Sequence, residues 1–117
     1  MGKSFETLIY SESIMCGFSK AWQLSREGMA ACNKGDFDKA ENNLKTAIEL
    51  SRCKSKKIHR ATMYNNLAVV YLMSGKKNEA LSAYDRAVSF LNPDHKGQAA
   101  LIDRITSKIS GLRQEVA

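Results

Sequence analysis

Two stretches of this chain, forty residues apart, carry the same pattern. Lys34-Gly35-Asp36-Phe37-Asp38-Lys39-Ala40 leads into Leu44 and Ala47, and Ser74-Gly75-Lys76-Lys77-Asn78-Glu79-Ala80 leads into Tyr84 and Ala87. In both, glycine is followed five residues later by alanine, four later by a bulky residue, and three later by alanine again. An internal repeat of this size marks a stacked-helix array, because one such unit cannot bury its apolar face alone and must pack on a neighbour. The expectation is an all-α fold of antiparallel helical hairpins whose work is binding.

Composition agrees with that class. A chain of 117 residues is one domain, able to bury a modest core of roughly 65% of its unfolded surface. Hydrophobic residues make up 44% and charged residues 26%, as in ordinary globular proteins. The single proline, Pro93, suits helices throughout. No apolar run approaches the ~20 residues that span a bilayer, so no membrane role is expected. The first residues lack the apolar core of a signal peptide, and Glu6 stands where a myristoylation signal needs Ser or Thr. A cytoplasmic location follows as an expectation. Cys16, Cys32 and Cys53 are odd in number and have no metal-like spacing, which suits reduced thiols. The net charge of +6 allows an acidic partner without identifying one.

Along the chain, residues 1–17 form an N-terminal arm bearing Phe5, Leu8, Ile9, Ile14 and Met15 around Ser11-Glu12-Ser13. A helical domain over 18–116 follows. Its first hairpin spans 20–54. Leu24, Gly28 and Ala31 lie on one face of a helix from Lys20 to Asn33. Gly35 sits where a left-handed residue closes a helix, and Asp36 can cap the next one, which is predicted from Phe37 to Cys53 with Ala40, Leu44, Ala47, Ile48 and Ser51 inward. The second hairpin spans 57–92. Its first helix, Lys57 to Met73, turns Ala61, Tyr64, Leu67, Ala68 and Tyr71 inward, and its second, Lys77 to Leu91, turns Ala80, Leu81, Tyr84, Ala87 and Val88 inward. Asn92-Pro93-Asp94 stops it. A last helix over 96–116 shows Ile102, Ile105, Ile109, Leu112 and Val116 at helical spacing.

The second unit resembles a tetratricopeptide repeat through Tyr64, Leu67, Ala68, Tyr71, Gly75, Ala80, Tyr84, Ala87 and Pro93, and the first through Leu24, Gly28, Gly35, Ala40, Leu44 and Ala47. The resemblance covers about residues 21–93. It implies two stacked hairpins closed by a C-terminal capping helix. Two departures stand out. Glu27 takes the place of Leu67 in the first unit, which suggests that no full hairpin precedes it. The forty-residue spacing exceeds the usual 34 of the family, and the surplus is expected to lengthen the helices around Cys53 to Arg60.

The resemblance also implies a groove lined by the first helix of each hairpin. Carried onto this chain, its positions are Trp22, Ser25, Met29, Cys32 and Asn33, then Thr62, Asn65, Asn66, Val69, Leu72 and Met73. Trp22, Met29, Val69, Leu72 and Met73 would offer an apolar surface to an amphipathic helix or extended peptide. The expected function is therefore a non-enzymatic protein-interaction module, an adaptor or chaperone-like scaffold. The competing arrangement fills the groove with the chain's own arm, in a monomer or by exchange in a homodimer. Asn66 matches an asparagine of the family's C-terminal carboxylate clamp, but Ser25 and Met29 stand where that clamp needs Lys and Asn. A basic rim, Arg52, Lys54, Lys56, Lys57 and Arg60, would steer an acidic partner. It also offers a nucleic-acid reading, disfavoured because the run has no aromatic interleaving and no nucleic-acid motif. His59 and His95 belong to no nucleophilic or metal-binding set, and there is no phosphate-cradling glycine loop. Neither catalysis nor a cofactor or metal is expected.

Overall fold

The computed structural model describes residues 18–52 and 56–116. These form five helices, with no strand among the described residues. They are α1 (Phe18–Asn33), α2 (Phe37–Leu50), α3 (Lys57–Met73), α4 (Lys77–Ser89) and α5 (Lys96–Val116). α1 pairs with α2 and α3 with α4; α3 packs back on the first hairpin, and α5 lies against α4. The N-terminal arm, Cys53 and Lys54 lie outside the described residues.

The two repeated glycines make the two hairpin turns. Gly35 has φ +85 and Gly75 φ +83, backbone that a side chain makes costly. In the first turn the Asp36 N–H donates to the Ala31 carbonyl at 2.9 Å and the Gly35 N–H to the Cys32 carbonyl at 3.0 Å. In the second, Lys76 donates to Tyr71 at 2.8 Å and Gly75 to Leu72 at 3.1 Å. Each is the Schellman closure, which satisfies the last carbonyls of one helix while reversing the chain into the next. Asp36 then accepts from the Lys39 N–H at 3.3 Å and caps α2.

Small residues set how closely the helices approach. Ala40, Ala47, Ala61, Ala68, Ala80 and Ala87 are all fully buried. At Gly28 a Cβ would stand 3.2 Å from the Ala40 carbonyl oxygen and 3.1 Å from Leu44 Cγ, so α1 nearly touches α2. Leu44 and Tyr84 fill the space beside these contacts, both fully buried. α3 has partners on both sides, so its buried surface is wider than one stripe. Met63 and Val70 join Ala61, Leu67, Ala68 and Tyr71 in the core, while Tyr64 is half-buried. Leu24, expected inward, is also half-buried.

The surplus residues between the repeats do not lengthen α2, which stops at Leu50 after 14 residues. The buried Ser51 ends it. Its hydroxyl donates to the Ile48 carbonyl at 2.8 Å, competing with the helical backbone pattern. α3 starts at Lys57 and ends at Met73, as the sequence reading has it.

One carboxylate ties the hairpins together on their polar side. Glu41 of α2 accepts from Lys45 at 2.7 Å, Lys76 at 3.3 Å and the Tyr71 hydroxyl at 3.2 Å. The Lys45 ammonium leads in holding its carboxyl below the ordinary range, with Lys76 and Tyr71 adding to it against the opposing effect of burial.

Candidate functional site

Thr62, Asn65, Val69 and Leu72 recur at three, four and three residues along α3, and so share one face of that helix. All four are half-buried. Met73 closes the row at 54% exposure, the large apolar side chain left open among the described residues. Beside it lies an apolar trough of about 380 Å³ between α3 and α5. Val69, Leu72 and Met73 form one wall, Leu112 and Gly111 the other, and Tyr84 of α4 the floor. Nothing lies within 4 Å of where a Gly111 Cβ would sit, so that glycine leaves a notch in the α5 wall.

Charge surrounds the trough unevenly. Glu115 at its edge is paired with Lys77 at 2.6 Å. Lys108 stands 5.9 Å from the Tyr84 ring centroid and also borders a smaller hollow of about 160 Å³ with Arg104, Asn65 and Leu101. Among the described residues neither Arg104 nor Lys108 is within ion-pair distance of a carboxylate. Burial pushes the Tyr84 hydroxyl above its ordinary value, so it stays protonated, and it has no hydrogen-bond partner among the described residues.

The other groove positions serve as a seam between α1 and α3. Ser25 and Cys32 are each 1% exposed, so they lie in packing and not on an open wall. Asn66 Nδ2 donates to Ser25 Oγ at 3.2 Å, and Cys32 Sγ lies 3.6 Å from Met73 Sδ. The Asn66 amide is thus engaged with the neighbouring helix. Burial raises the Cys32 thiol above its usual value, which leaves it a poor nucleophile. Met29 is half-buried and Asn33 exposed on α1. Trp22 meets His59 edge-on at 5.5 Å, at the other end of α3 from Met73, roughly 20 Å away along that helix. The structure therefore does not gather Trp22 and Met73 into one pocket.

The basic rim behaves differently from its sequence reading. Arg52 is paired with Glu49 at 2.6 Å, and Lys56 and Lys57 are exposed at the start of α3. Arg60 lies 4.6 Å over the Phe90 ring, Phe90 stacks on Tyr64 at 5.6 Å, and Arg86 covers Tyr64 at 5.2 Å. Of the described rim cations Arg60 meets a ring, that of Phe90, while Tyr64 is covered by Arg86 from outside the run. Both rings are already covered by guanidinium groups. This cluster sits at the end of α3 away from the trough, so it is not the trough's rim. Lys108 lines the trough, and Arg104 stands one turn before it on the smaller hollow. Their signal was present in the sequence: Arg104, Lys108, Gly111 and Glu115 recur at four, three and four residues, a second stripe beside the isoleucines of α5.

Among the described residues no group of His, Cys, Asp and Glu could hold a metal ion, and no helix is long and apolar enough to cross a membrane. Among curated proteins the chain is similar to photosystem I assembly protein Ycf3 of Prochlorococcus marinus strain CCMP1375, at 32% identity over 59% of this chain and 38% of the relative. The same protein from P. marinus strain MIT 9301 is 30% identical and that from Synechococcus sp. strain WH7803 29%, over the same shares. The chain thus spans about two-fifths of the length of these relatives. No solved structure matches it. The model of the tetratricopeptide repeat matches residues 21–92, which take in both hairpins, and the chain belongs to that family.

Proposed function

We propose that this chain is a non-catalytic adaptor that holds an apolar segment of a partner protein in the trough between α3 and α5. The observation that carries the reading is Met73, more than half exposed and continuous with Val69, Leu72 and Leu112 around an open cavity. A flexible thioether at the mouth of an apolar cleft suits a surface that adapts to a partner's side chains. The relatives named for photosystem I assembly support a role in assembly, in which a subunit's apolar segment is kept covered until it is incorporated. The test is a pull-down comparing wild type with a Leu72→Ala/Met73→Asp variant. Partners recovered by wild type should be lost from the variant and retained by Trp22→Ala, whose site lies at the other end of α3. Equal recovery by all three proteins would reject the trough.

A further inference from the structure

We infer that the partner segment is acidic as well as apolar, and that Arg104 and Lys108 select it. This deepens the adaptor reading above and rests on it. The two cations stand one helical turn apart on α5, about 6 Å along its axis, and both are exposed; Lys108 lines the trough and the smaller hollow, and Arg104 lines that hollow. The acidic residue on the trough's edge, Glu115, is already neutralised by Lys77, and Asp85 is engaged by Arg113. Among the described residues, Lys108 on the trough and Arg104 on the hollow beside it thus have no carboxylate counterpart. An apolar segment bearing lysines would meet uncompensated repulsion there, whereas one bearing glutamates would complete two ion pairs while seating its apolar side chains against Met73 and Leu112. The notch at Gly111 supports the same placement. A glycine inside a helix is less favourable than alanine, and here no neighbouring atom requires it. What it provides is an opening in the wall, one turn beyond Lys108.

The experiment measures fluorescence anisotropy with three labelled, C-terminally amidated amphipathic peptides. Their leucines stand at helical spacing, and the remaining positions are all glutamate, all glutamine or all lysine. Amidation leaves side chains as the only carboxylates offered. The glutamate peptide should bind about tenfold more tightly than the glutamine peptide, and the lysine peptide least. Arg104→Gln/Lys108→Gln should bring the glutamate peptide down to the glutamine level, as should added salt. Gly111→Leu, which meets open space and so leaves the fold intact by circular dichroism, should block both. Equal binding of the glutamate and glutamine peptides, unaffected by the charge-removing variant but blocked by Gly111→Leu, overturns the acidic preference and leaves the trough as a docking site. Binding of none of the peptides, or binding that Gly111→Leu does not touch, overturns the preference together with the trough. Tightest binding of the lysine peptide reverses it.

Discussion

Glycine does three separate jobs in this chain, and each gives its own prediction. Gly35 and Gly75 hold left-handed backbone. Gly35→Ala or Gly75→Ala should cost about 1–2 kcal/mol each, read as a lower midpoint in urea. Gly28 is demanded by contact. A side chain there meets the Ala40 carbonyl and Asn43 Cβ, neither of which can swing away, so Gly28→Val should cost about 1–3 kcal/mol. Gly111 is demanded by neither, and Gly111→Ala should stabilise by up to about 1 kcal/mol through helix propensity. A loss of stability at Gly111, or none at Gly28, would contradict the packing described. The first role was legible because the pattern around Gly35 recurs at Gly75. The other two were not separable in sequence, since Gly28 and Gly111 both stand inside a helical pattern and only the neighbouring helix distinguishes a contact from a notch.

At the scale of the helices, alanines and one carboxylate hold the hairpins in register. Ala40 and Ala80 are both fully buried, so Ala40→Leu or Ala80→Leu should overpack and cost about 1–3 kcal/mol or more. A wild-type melting temperature for either would rule out this helix pairing. Glu41 joins α2 to Tyr71 of α3 and to Lys76 of the second turn. Its carboxyl is held below the ordinary value near 4.5 in the folded chain. The folded state therefore binds that proton less readily than the unfolded state. The stability this contributes is complete above about pH 4.5 and is lost as pH falls through the lower folded value. Glu41→Gln should lower stability at neutral pH by at most about 1 kcal/mol, and should flatten the fall of melting temperature with acidification below pH ~4.5. Helix identity and the turns were readable from periodicity and glycine. The stop at Ser51 was not, because a single buried hydroxyl bond decides it against a pattern that would otherwise continue. The Arg60–Phe90–Tyr64–Arg86 stack was hidden for a related reason. Its members come from two helices, and a run of charges read alone shows no rings.

For the whole molecule, the decisive element is the one that the repeat does not contain. α5 supplies one wall of the trough, with Lys108 on it and Arg104 beside it, yet it packs chiefly on α4, through buried Ile105, Ile109 and Leu112. The sequence stripe showed those three as a cap's inner face. It did not show that the cap's flank forms a site, because this depends on where α3 ends relative to α5. In a stacked array each unit is stabilised by its nearest neighbours, so an end element with one main contact opens before the interior does. Ile105→Ala removes a fully packed side chain and should cost about 2–5 kcal/mol at that interface. By amide hydrogen exchange, the loss of protection should be concentrated in α5, with α1 and α2 close to wild type. Trough binding should weaken in the same variant, because an α5 that opens takes the wall with it, and a bound peptide should in turn slow exchange in α5. A uniform loss across all five helices would show instead that α5 is bound into a single cooperative unit with both hairpins.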